Sequence, residues 1–170
     1  MAKTGVLFVC LGNICRSPLA EGVFRHLAAE RGLSDDFDVD SAGTGAWHVG
    51  EPPDSRSMEV ATRHGVELDG RARQVQSGDF SSFDLIVAMD RDNLRNLEAG
   101  HQAAHGAARV RLLRSWDPDA GKDLDVPDPY YDGGLGFDRV YDMVERSCRA
   151  LLDDLSREGT LEDDDPDHMA

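Results

Sequence analysis

The chain has no apolar run of about eighteen residues, which argues against a transmembrane helix. Its opening, Met1-Ala2-Lys3-Thr4, leads straight into an apolar stretch without the layout of a secretory signal. It has only three cysteines, which cannot all pair, and a reducing, cytoplasmic setting is the expectation. Positive charge is also scarce, since 18 Lys and Arg against 33 Asp and Glu leave a formal net charge of −15. Such a field argues against nucleic acid or an anionic membrane as partner. Six scattered histidines and one C-x4-C pair give no metal-ligand spacing, so no metal is expected.

What remains is an ordinary globular composition. At 170 residues and 40% hydrophobic, the chain fits one domain with a real core. Part of the acidic excess is confined to the end, where residues 158–170 hold six acids and no Lys or Arg. That stretch reads as a disordered, solvated tail, leaving residues 1–157 as the folded domain. Apolar strand-like runs alternate with amphipathic ones, which predicts an α/β sandwich around a parallel sheet. Strands are expected at 5–9, 37–41, 84–88 and 109–113, and helices at about 18–31, 54–64, 91–99 and 136–156.

The most informative stretch is Val9-Cys10-Leu11-Gly12-Asn13-Ile14-Cys15-Arg16-Ser17-Pro18, between the first strand and the first helix. Gly12 and Asn13 most readily take left-handed backbone angles. Ser17 suits a helix N-cap and Pro18 the first helical position. Inward-curling amides of such a loop, with a helix N-terminus behind them, make a cradle for a tetrahedral dianion. Arg16 can grip two oxygens in its planar fork, and Cys10 shares the same positive field, which favours a thiolate. A thiolate on the floor of an anion site is placed to attack phosphorus. A phosphate ester then needs an acid to protonate its leaving oxygen. Within residues 1–157 two Asp-Pro dipeptides supply candidates, Asp117-Pro118 and Asp128-Pro129, and spacing alone does not choose between them.

VCLGNICRSP resembles the active-site loop of the low-molecular-weight protein tyrosine phosphatases. The resemblance continues through DSAGTGAWHVGEPPD at 40–54, FDLIVAMDRDNL at 83–94 and VPDPYYDG at 126–133, in the family's order, and covers residues 5 to about 156. It implies a three-layer sandwich whose four-stranded parallel sheet has the order 2-1-3-4. It implies cysteine-dependent hydrolysis of phosphotyrosine and aryl phosphates through a phosphocysteine, with no cofactor. Catalytic roles fall on Cys10, Arg16 and Asp128. Leu11, Gly12, Asn13, Ile14 and Cys15 would hold the phosphate, with Trp47, Tyr130 and Tyr131 lining the groove. Asn13, Ser17 and Ser41 would support the loop. Phosphotyrosine proteins are the implied partners, with a tyrosine kinase as a further candidate. The family also offers a precedent for Cys10 and Cys15 as a protective redox pair. Five positions apart on a curling loop, their Cα atoms could approach the ~4.4–6.8 Å that a disulfide spans. One departure stands out: Gly70 occupies a position where several relatives carry a histidine that buttresses the loop.

Two rival readings remain. An arsenate reductase of the same fold would need two further thiols, but the relevant region reads Ser81-Ser82-Phe83 and Ala88-Met89-Asp90. An inactive phosphate-binding module would have no need to keep Cys10, Arg16 and Asp128 together.

Overall fold

The computed structural model describes the backbone of residues 2–131 and 134–164, and side chains outside 131–135 and 158–164. Four strands, β1 (Thr4–Cys10), β2 (Phe37–Gly43), β3 (Leu85–Ala88) and β4 (Arg109–Leu112), form one sheet in the order β2-β1-β3-β4. Every pairing is parallel, with Cys10 opposite Gly43 and Val9 opposite both Ala42 and Ala88. Five helices connect and cover the strands: α1 (Arg16–Glu30), α2 (Ser55–Arg63), the short α3 (Asp79–Ser82), α4 (Arg91–Ala104) and α5 (Gly134–Asp164).

The period-two alternation of β1 divides the interior into two layers. Val6, Phe8 and Cys10 face one core with Leu19, Phe24 and Leu27 of α1 and Val144, Leu151 and Leu152 of α5. Leu7 and Val9 face the other, with Phe80, Ile86 and Leu97. Both faces are dry, which is why GVLFV is a continuous apolar run. Each such Phe or Leu contributes about 1.5–3 kcal/mol on burial. The chain leaves β1 toward β2 on one side, while β3 lies on the other. The crevice over the carboxyl end of β1 is therefore the switch point where open α/β sheets bind ligands.

The expected strands and helices are present, with differences at their ends. Helix α4 runs to Ala104 rather than 99. Gly100 does not stop it, because its missing side chain lets the helix close on Phe80, whose ring would lie 3.1 Å from an added Cβ. The turn ends instead at His105, in the left-handed region at φ 54°. Short α3 has no counterpart in the sequence reading. Helix α5 continues to Asp164, past the start of the stretch read as a tail, and residues 165–170 lie outside the described residues. Among the described residues, no helix is long and apolar enough to cross a membrane.

Candidate active site

The loop between β1 and α1 is set by its own residues and by the end of β2. Asn13 takes the left-handed conformation at φ 57°; Gly12 does not, and its lack of a side chain instead admits the His48 ring, which would lie 2.9 Å from an added Cβ. Gly43 is needed for the same reason: a Cβ there would meet the Leu11 carbonyl oxygen at 2.7 Å. From outside the loop, the amides of Thr44, Gly45 and Asp54 donate to the carbonyls of Cys10, Leu11 and Ile14 at 2.9, 2.9 and 2.7 Å.

Ser17 is a correction. Helix α1 already begins at Arg16, with Cys15 as the residue before it and no side-chain cap. The Ser17 hydroxyl turns to the thiol instead, 3.0 Å from Cys10 Sγ. Asn13 Nδ2 donates to Ser17 Oγ at 2.8 Å and to Ser41 Oγ at 2.9 Å. Ser41 Oγ spends its own proton on Glu21 Oε1 at 2.6 Å, and Asn13 Oδ1 accepts from the Arg73 amide at 3.0 Å. Both ends of the Asn13 amide are thus satisfied. The Ser17 proton is free for Cys10 Sγ, with the Ala42 carbonyl at 3.4 Å as a longer alternative.

This network also accounts for Gly70. It sits at φ 86° in open space, and the loop is buttressed by the Arg73 backbone and by Glu21, which Arg25 Nη1 meets at 2.7 Å. Burial raises the Glu21 pKa against the hydrogen bond from Ser41 and the charge of Arg25.

Arg16 is almost wholly buried at the head of α1. Its Nη1 donates to Asp90 Oδ2 at 2.7 Å and to the Val126 carbonyl at 2.9 Å. Its Nη2 lies 3.6 Å from Asp128 Oδ2. Burial opposes the guanidinium charge, but the negative charges of Cys10, Asp90 and Asp128 outweigh it and hold the pKa above its ordinary value. The buried Arg16 Nε has no hydrogen-bond partner among the described residues.

Asp128 and Asp117 are now distinguishable. Asp128 is 35% exposed, accepts the Tyr130 amide at 3.0 Å and lines a cavity of about 380 Å³ whose floor is Cys10 and Arg16. Asp117 has no exposed side-chain surface and is gripped by Arg114 and Arg146. Leu11, Gly12, Ile14 and Cys15 line the same cavity, with Trp47, His48 and Tyr130 as its upper wall. Trp47 is 72% exposed, so it is no core residue; its ring rests on Gly45, where a Cβ would come within 1.9 Å. The side chain of Tyr131 lies outside the described residues. Cys15 is buried, and burial first, then the charges of Asp54 and Cys10, push its thiol up to about 12.

Sequence reasoning missed His48, Asp90, Glu21 and Arg73. His48 Nδ1 lies 3.0 Å from Glu51 Oε2 and its ring centre 6.0 Å from that of Tyr130. Asp90 was the most findable, since it follows the strand beside β1 and caps α4 through a reciprocal pair of bonds with Asn93.

A four-stranded parallel sheet with a thiol, a buried arginine and a carboxylic acid around one anion-sized pocket defines a cysteine-dependent phosphatase. The sequence matches the profile of the low molecular weight phosphotyrosine protein phosphatases over residues 5–161. It is 53% identical to a low molecular weight protein-tyrosine-phosphatase of Streptomyces coelicolor, over 86% of this chain and 90% of that one. With the human low molecular weight phosphotyrosine protein phosphatase the identity is 45%, over 89% and 96%. A crystal structure of a protein tyrosine phosphatase from Entamoeba histolytica, with Hepes in its active site, superposes with a TM-score of 0.85 at 38% identity, covering 92% of this chain and 99% of that one. The chain belongs to the low molecular weight phosphotyrosine protein phosphatase family.

Proposed function

We propose that this phosphatase hydrolyses phosphotyrosine in proteins through a phosphocysteine at Cys10. The Cys10 thiolate attacks phosphorus as the bond to the tyrosyl oxygen breaks, and Asp128 gives its proton to that departing oxygen. Asp128, now ionised, takes a proton from water as the water attacks phosphorus, the S–P bond breaks, and phosphate and the Cys10 thiolate are released. Arg16 and the amides of residues 11–16 hold the three equatorial oxygens throughout, so positioning and electrostatics carry most of the catalysis. Trp47 and Tyr130 flank the aryl ring above the phosphate, and a slot with aromatic walls suits a phenyl group better than a serine stub.

The observation that carries this reading is the convergence of Cys10, Arg16 and Asp128 on one pocket. Its test is Cys10→Ser, which removes the nucleophile and leaves the cradle. Turnover is expected to vanish while binding of inorganic phosphate persists, and a variant retaining substantial turnover would refute covalent catalysis at this thiol. A reducing cytoplasm suits an enzyme that works through a thiolate, and a tyrosine kinase is the class of partner that must supply its substrate. Cys10 and Cys15 are further read as a redox pair. Peroxide converts the Cys10 thiolate to a sulfenic acid, and the Cys15 thiolate displaces hydroxide from it to form a disulfide. Both thiols line the same cavity, which supports the pairing.

A further inference from the structure

We propose that Arg114 is a positioning residue for the proton donor, acting from behind the active site through the stem of the Asp128 loop. The inference rests on Asp128 being that donor. Arg114 follows β4, lies outside the lining of the cavity, and is almost wholly buried, its side chain 6% exposed. It bridges two structures. Its Nε donates to Asp117 Oδ2 at 3.1 Å, and its Nη1 donates to the Asp125 carbonyl at 2.9 Å. Asp117 is itself fixed to α5 by Arg146, through bonds of 3.1 and 3.2 Å. The segment that carries Arg114, Leu113–Ser115, also packs directly on α5, so even without Arg146 the guanidinium ties the peptide three residues before Asp128 to the long helix that packs on α1, the helix headed by Arg16.

The stem needs such a tie because it has no regular structure from Gly121 to Asp128. Its other anchors lie on the opposite side. The Asp125 carboxylate accepts the Arg91 amide at 3.0 Å, the Val126 amide donates to the Met89 carbonyl at 2.8 Å, and the Val126 carbonyl accepts from Arg16. With Arg114 in place, the stem is held between the end of β3 and α5, and only the segment from Pro127 on projects toward the pocket. A planar fork can span the two acceptors at once, and a half-buried carbonyl deprived of its donor would shift to find another. A displacement of the order of 1 Å in a proton donor is costly only where the leaving oxygen needs the proton.

Arg146 supplies the control, since it grips the same Asp117 and makes no bond to the stem. Rates are measured for Arg114→Met, Arg146→Met and Asp128→Asn on phenyl phosphate and on dinitrophenyl phosphate, with thermal unfolding recorded for each. Arg114→Met is expected to lose about 10–100-fold on phenyl phosphate and less than about threefold on the dinitrophenyl ester. Arg146→Met is expected to lower the melting temperature and leave the ratio of the two rates unchanged. Equal losses on both esters in Arg114→Met, or a shifted ratio in Arg146→Met, overturn the proposal. If Asp128→Asn shifts the ratio and Arg114→Met does not, the positioning role alone fails. If Asp128→Asn leaves the ratio unchanged, the proton-donor reading itself fails. Should Arg114→Met not fold, Arg114→Lys keeps a charge beside Asp117 but cannot span both acceptors, and the same shifted ratio is required of it.

Discussion

The loop of residues 10–16 and the loop of residues 117–131 face each other across one pocket, and they are built in opposite ways. The first is short, buried and closed by hydrogen bonds among Cys10, Asn13, Ser17 and Ser41, all close to one strand end. The second is long, polar and irregular, held by charged side chains from distant elements: Arg16 reaches Val126, Arg114 reaches Asp125, and Arg146 reaches Asp117. Rigidity suits an anion cradle, whose donors must be fixed before charge develops. In the proposed mechanism the proton donor must meet leaving oxygens on protein substrates, and a half-exposed carboxylate on a tethered loop suits that task.

The contrast is broken most directly at the thiol. Cys10→Ser is expected to lower kcat on the order of 10⁴–10⁶-fold for every ester, whatever its leaving group. Asp128→Asn is expected to cost about 10²–10⁴-fold on phenyl phosphate and far less on dinitrophenyl phosphate, because only a basic oxygen needs the proton. Asp117→Asn should separate structure from chemistry within the same loop. It leaves two arginines short of a buried charge, at about 3–5 kcal/mol of stability, while the amide oxygen of Asn still accepts from Arg114, so the ratio of rates on the two esters is expected to stay unchanged.

The pH dependence of that last effect has a definite sign. Burial would raise the Asp117 pKa, but the bonds from Arg146, the Asp119 amide and Arg114 prevail and hold it below its ordinary 3.8. A carboxylate with a lowered native pKa stabilises the fold above its unfolded value, and that contribution disappears as pH falls through the native value. The stability gap between wild type and Asp117→Asn should therefore be constant near neutrality and narrow below about pH 3.8 in urea titrations.

How much of this was legible in the sequence follows the same division. Strand β1, its loop and α1 could be read together because their determinants are adjacent: an apolar run, Gly and Asn at a turn, then helical periodicity. Ser17 shows the limit even there, since a serine near a helix start fits an N-cap as well as a bond to a thiol, and only the exact start of α1 decides. In the second loop the dipeptides Asp117-Pro118 and Asp128-Pro129 look alike. What separates them is burial between Arg114 and Arg146, which local pattern does not encode. The resemblance to known phosphatases chose Asp128, and its place on the cavity beside Arg16 supports that proposal.

Smaller effects sharpen the picture at the rim and in the redox pair. Trp47→Ala should weaken aryl phosphates by about 0.5–1.5 kcal/mol beyond lost area, with alkyl phosphates less affected; equal losses would make the ring a support of the fold. A Cys15 thiol pushed up to about 12 is protonated at neutral pH, so its capture of an oxidised Cys10 should be slow at pH 7 and accelerate as pH rises. After peroxide and then thiol reductant, Cys15→Ala should recover less activity than wild type. Equal recovery would leave Cys15 as packing alone.

The covalent step at Cys10 is the one most directly open to test. Acid quench of the enzyme within one turnover of dinitrophenyl phosphate, followed by mass spectrometry, should find phosphate on the peptide carrying Cys10. The same quench of Cys10→Ser should show none. Phosphate on another residue, or turnover without any phosphoenzyme, would contradict it.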